Sequence, residues 1–163
     1  MKKAGFTLIE LLIVIAILGV LAVGLLATID PFEQLKKGRD TSTRNMLEEF
    51  YNAALRYYAI KNSFPWGSSA QSAVSLNDAN MTNYLSAIQE AGELKQAFLD
   101  ASGLEEILVS SVDCTGGACE DLTVCFQPQS KAFRNDNNSK YDSLGNSAYT
   151  PSPDCDSCYW CIK

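Results

Sequence analysis

The chain has 163 residues, 47 % of them hydrophobic and 20 % charged, with six cysteines, no histidine and a formal charge of −6. That length has room for one modest core. The missing histidine excludes Ser/His and Cys/His nucleophile pairs, no acidic pair stands in a recognisable catalytic setting, and the negative balance argues against a surface for nucleic acid, whose binding rests on neutralised phosphates. The expectation is a protein that is not an enzyme and needs no cofactor.

In chain order the first element is the apolar, uncharged stretch from Leu11 to Ile29. As an α-helix it would be roughly 28 Å long, close to the hydrocarbon thickness of a bilayer. Lys2 and Lys3 precede it and would hold the amino end in the cytoplasm. One carboxylate, Glu10, stands at its start. A charge in lipid costs about 2.5 to 3.5 kcal/mol on insertion scales, so Glu10 calls for a reason. A secretory signal accounts for it poorly: the run exceeds the usual apolar core of about 7 to 15 residues, although Ala22 and Ala27 would offer small residues near a cleavage point. A plain single-pass anchor leaves Glu10 unexplained.

The run Ala4-Gly5-Phe6-Thr7-Leu8-Ile9-Glu10-Leu11-Leu12 resembles the class III signal of type IV pilins and type II secretion pseudopilins. The resemblance implies that a membrane-embedded prepilin peptidase removes residues 1–5 by cutting between Gly5 and Phe6, and N-methylates Phe6. Loss of Lys2 and Lys3 would leave 11 basic against 19 acidic side chains. A cationic α-amine on Phe6 is itself unwelcome in an apolar bundle, so Glu10 of an incoming subunit would pair with the Phe6 amine of its neighbour and remove two lone charges at once. The competing reading is a carboxylate that only favours its own helix N-terminus. The family resemblance further implies copies of the chain itself in a helical filament, a pilus assembly platform and its ATPase as partners, and cytoplasmic-membrane lipid before assembly. It implies a single-pass precursor in the cytoplasmic membrane, amino end inside, and an extracellular pilus afterwards. The role implied is the structural subunit of a type IV pilus; the alternative is a minor pilin or a type II secretion or competence pseudopilin. Such pilins often carry a proline in the later part of this helix. Here none precedes Pro31, leaving Gly19 and Gly24 either as weak points or as places of close helix packing.

Asp30-Pro31 reads as a cap with a first-turn proline, or as a kink. Residues 6–29 are assigned to a membrane-spanning assembly helix and 30–62 to an amphipathic half of the same helix. Lys36, Lys37, Arg39 and Arg44 form a basic collar suited to lipid headgroups or to acidic groups on a neighbouring subunit. Leu47, Phe50, Tyr51, Ala54, Leu55 and Tyr58 recur at helical spacing as one apolar stripe, with Glu48, Asn52 and Arg56 opposite. Asn62 tolerates a left-handed cap and Pro65 forbids continuation.

Residues 63–163 are assigned to a headpiece. Trp66 to Asn77 reads as loop, and Thr82–Ala91 and Glu93–Ala101 as short helices followed by Gly92 and Gly103. Ile107–Val112, Asp121–Gln127 and Ser157–Ile162 read as three strands of an antiparallel sheet laid on the helix stripe. The fold class is therefore α+β: a long N-terminal helix, apolar then amphipathic, packed by a small antiparallel sheet as in type IV pilins. Cys114, Cys119, Cys125, Cys155, Cys158 and Cys161 all lie in the last third. Their even number in an exported region points to disulfides, with a metal site on Cys155-x2-Cys158-x2-Cys161 as the rival. Six cysteines allow fifteen pairings; the pairing adopted is Cys114 with Cys119, Cys125 with Cys161, and Cys155 with Cys158. The stretch Asp136 to Asp142 has the oxygens of a calcium loop without the spacing of one, and Asn135 to Pro153 reads as exposed surface.

Overall fold

The structure, a computed structural model, describes residues 5–28, 30–114 and 118–163 and no side chains over 26–28. Most of the leader expected over residues 1–5, including Lys2 and Lys3, and the last residue of the expected apolar helix, Ile29, lie outside the described residues. The layout is α+β. Chain contacts divide it into a unit ending at Gln34 and a unit Leu35–Lys163.

The apolar stretch forms helix α1, Leu8–Thr28, and the amphipathic stretch forms α2, Pro31–Lys61. Asp30 caps α2: its Oδ1 accepts from the N–H of Phe32 at 3.1 Å and of Glu33 at 3.3 Å. Pro31 then occupies the first helical position, where its missing N–H costs nothing. Within the expected stripe, Leu47, Phe50 and Ala54 are buried together with Ala53, whereas Leu55 is left 39 % exposed. The burial falls on the 43, 47, 50, 54 ridge, so Leu55 stands at its edge rather than within it. Asn62 ends α2 with φ +55, its N–H reaching the Tyr58 carbonyl at 2.7 Å.

Four strands, not three, make the sheet: β1 (Gln71–Ser75), β2 (Ile107–Ser111), β3 (Thr123–Phe126) and β4 (Trp160–Ile162), antiparallel in that order. The connection expected over Trp66–Asn77 thus contains β1, paired to β2 with a bulge between Gln71 and Val74. Ala73 sits in that bulge at φ +51, and its N–H is held by Ser110 Oγ at 3.1 Å. Helix α3 (Ala79–Glu90) is capped by Asp78 and closed by Gly92 at φ +83, while Glu93–Ala101 is helical only over α4, Gln96–Leu99. Leu47, Phe50, Ala53 and Ala54 of α2 share one core with Ile107, Val109, Val124, Phe126 and Trp160 of the sheet. Buried Trp66 is satisfied within it: its Nε1–H donates to Ser111 Oγ at 3.1 Å, which donates to the Asp121 carbonyl at 2.6 Å.

Both faces of β3 are covered, since Thr123 and Cys125 are buried as well as Val124 and Phe126. The second cover comes from parts of the polar stretch Asn135 to Pro153, ten of whose nineteen residues are exposed, as expected. Asp136 Oδ1 takes N–H donors from Asn138 at 2.8 Å and Trp160 Nε1 at 3.1 Å. Tyr141 bridges to Ser147 and Tyr159, and Gly145 is buried against Thr123. A polar segment can pack this way because its side chains satisfy its own backbone.

Candidate functional site

Helix α1 holds the residues that mark this chain. Its first residue is Leu8, so Thr7 is the N-cap and Glu10 the third helical position. Thr7 and Glu10 close a reciprocal capping box: Glu10 N–H donates to Thr7 Oγ1 at 3.3 Å, and Glu10 Oε2 accepts from Thr7 N–H at 2.9 Å and Thr7 Oγ1–H at 2.7 Å. Glu10 Oε1 has no hydrogen-bond partner among the described residues. The acid that looks misplaced in an apolar run is therefore half satisfied by its own helix end. Sequence reasoning missed Thr7 in this role, although Thr7-Leu8-Ile9-Glu10 spells the capping pattern.

Beyond Glu10 the helix is apolar on every side. Leu11, Ile13, Leu18, Val20 and Leu25 are all exposed, and no residue from Leu8 to Leu25 is buried. Eighteen residues of helix are about 27 Å long, enough to cross a hydrocarbon layer. A helix apolar all round has no amphipathic face to lay on a core, so it requires lipid or other helices. A Cβ built on Gly19 or Gly24 would meet nothing within 4 Å.

The cysteines form three bridges, Cys114–Cys119, Cys125–Cys161 and Cys155–Cys158. Cys125 and Cys161 face each other across β3 and β4. With Cys161 bonded to Cys125, the Cys155, Cys158 and Cys161 thiolates are not together available to a metal. In the polar cover, burial pushes the Asp142 carboxyl up, but N–H groups of Asn146, Leu144 and Gly145 and the Asn146 amide outweigh it and hold the group below its ordinary value. Its oxygens are occupied by these donors, at 2.9 Å from Leu144 and Asn146 N–H and 3.1 Å from Asn146 Nδ2.

In the basic collar, Arg44 is engaged: its guanidinium lies 5.1 Å over the Trp160 ring and pairs with Glu48 at 2.8 Å. Lys36, Lys37 and Arg39 are exposed. Arg56, placed by periodicity on the solvent side, pairs with Glu93 at 2.6 Å. One buried acid carries no signal in the sequence. Asp40, 2 % exposed, accepts from Gln129 N–H at 3.0 Å, Ser130 N–H at 2.7 Å and Ser130 Oγ–H at 2.6 Å, tying α2 to the turn after β3.

A groove of about 430 Å³ runs past Glu106, Gln127, Arg134, Asp156 and Tyr159. Several of its polar groups are already engaged: Arg134 pairs with Asp156, Gln127 Nε2 donates to the Asp156 carbonyl at 2.5 Å, and Glu106 accepts from Thr43 Oγ1 at 3.3 Å.

Residues 1–26 match the family model described as the prokaryotic N-terminal methylation motif, the class III signal of type IV pilins. No curated protein and no solved structure matches the chain.

Proposed function

We propose that this chain, which carries the signal of a type IV pilin-like or pseudopilin precursor, is the subunit of a type IV pilus, cut between Gly5 and Phe6, N-methylated on Phe6 and polymerised through α1. The observation that carries this reading is the methylation motif lying on a helix that is apolar on all sides and opens on a capped acid. Cleavage would put an ammonium on Phe6, one residue before the cap. Glu10 would keep Thr7 on Oε2 and offer Oε1 to the Phe6 ammonium of a neighbouring copy, so that two charges in a low-dielectric bundle meet instead of standing alone. The same α1 would anchor the precursor in the cytoplasmic membrane until a prepilin peptidase, an assembly platform and its ATPase pass it into the fibre. The three bridges suit an exported headpiece.

Mass spectrometry of the amino terminus in material sheared from cells tests the reading. The expected result is a chain beginning at N-methylated Phe6 and dominating the sheared fibres. A native chain that keeps Met1 and never polymerises would overturn it, and a processed chain that stays with the envelope would assign it to the pseudopilins.

A further inference from the structure

Two surfaces of the unit Leu35–Lys163 are left uncovered, and they are complementary. At the start of α2, Leu35 is 67 % exposed. Beside it Lys36, Lys37 and Arg39 are exposed, and their side-chain charges have no hydrogen-bond or ion-pair partner among the described residues. Twenty residues further along the same helix, Leu55 is 39 % exposed on a groove of about 400 Å³ that it shares with Tyr51, Phe64 and Glu120.

The groove has an unpaired acid, and its lysine is drawn to an aromatic ring rather than to that acid. Asp121 spends its carboxylate on the N–H groups of Val112 and Asp113, and the Lys163 ammonium lies 5.0 Å over the Tyr141 ring, whereas Glu120 is exposed with no side-chain partner among the described residues. The wider surface has the same sign: residues 41–163 hold 8 basic and 15 acidic side chains, while Leu35–Arg39 holds three cations and no acid.

We propose that the Leu35–Arg39 segment of one copy docks in the Tyr51, Leu55 and Phe64 groove of another, Leu35 covering Leu55 and Lys36 facing Glu120. The inference rests on reading the chain as a filament subunit and names the contact that would follow the α1 packing outward. Twenty residues of helix separate the two sites by about 30 Å, so a chain cannot make this contact with itself. Parallel neighbours would make it at an axial offset of about that length. An anionic bilayer surface would satisfy the three cations but would leave the apolar groove open, which is why a second copy is the better partner.

The full chain carrying Leu35→Cys and Leu55→Cys tests it. No native cysteine is free among the described residues, and a disulfide needs Cα atoms within about 7 Å, so a bond between the new pair must join copies. Mild oxidation of sheared fibres is expected to give a ladder of dimers, trimers and higher species that either single variant lacks. As a second measurement, Glu120→Lys is expected to cut fibre yield by at least about tenfold, and adding Lys36→Glu with Lys37→Glu to restore it. Fibres that form with no ladder, or a Glu120→Lys loss that the charge reversal does not rescue, would overturn this contact and leave the proposed function standing. If vesicles of anionic phospholipid shield the thiol of the Leu35→Cys variant from a water-soluble maleimide, and no ladder forms, the contact is overturned in favour of the bilayer. A wild-type chain that keeps Met1 and makes no fibre would overturn both.

Discussion

Glu10 can serve two partners because a carboxylate has two oxygens. Oε2 belongs to the Thr7 cap, and Oε1 is the one a neighbour would take. The two roles separate by mutation. Thr7→Ala removes the cap alone, worth about 1 kcal/mol of helix, and should change sheared-fibre yield little. Glu10→Leu removes the carboxylate's side of the box and the oxygen offered to a neighbour, while Thr7 Oγ1 still caps the residue-10 N–H, and should leave the chain processed and membrane-bound with fibre yield sharply reduced; normal yield would refute the intersubunit pair. At Gly145 the constraint is steric. Its φ is +85, and a Cβ there would overlap Thr123 Cγ2, so Gly145→Ala should cost about 2 to 4 kcal/mol in chemical unfolding of the solubilised chain. Asp142 gives the same turn a pH dependence. Its folded-state pKa lies below the ordinary 3.8, so its stabilising contribution is complete above that value and is lost as pH falls through the lower, folded one. Unfolding midpoints followed from about pH 5 to pH 2 should fall less steeply for Asp142→Asn than for the native chain.

The elements differ in how far local sequence explains them. α1 and α2 are legible because a continuous apolar run and a 3.6-residue stripe are statements about neighbours in the chain, and Asp30-Pro31 is a local boundary. β1 is not legible: Gln71-Ser72-Ala73-Val74-Ser75 has one β-branched residue and a bulge at Ala73, and becomes a strand because β2 pairs with it. Asp40 illustrates the same limit within α2. A lone acid three turns into a helix reads as solvated, and its partners are 89 and 90 residues away. Asp40→Ala would strand the Gln129 and Ser130 N–H groups in a buried place and should cost about 2 to 4 kcal/mol. Asp40→Asn keeps an acceptor oxygen and should cost less. Denaturant midpoints of the two variants compared with the native chain measure the difference; an Asp40→Ala midpoint equal to the native one would show that α2 does not depend on this pin.

Over the whole molecule the bridges act unequally. Cys125–Cys161 spans 36 residues and ties β3 to β4, whereas Cys114–Cys119 and Cys155–Cys158 span 5 and 3. On loop-closure entropy the long bridge is worth about 4 kcal/mol and the short ones about 2 each. Replacing Cys125 and Cys161 together by Ala should therefore lower the unfolding free energy about twice as much as replacing either other pair. What the sequence determined by itself is the membrane-length helix, its acid and leader signal, the start and stop of the amphipathic helix, and three of the strands. Each is a pattern complete within twenty or so consecutive residues. What only the tertiary structure decided is which cysteines face one another, that Tyr141 and Gly145 within the exposed stretch Asn135–Pro153 pack on the sheet, that Asp40 is buried and that Leu55 is not. Those depend on register between strands and on donors supplied from distant parts of the chain, and no local pattern encodes a partner that far away.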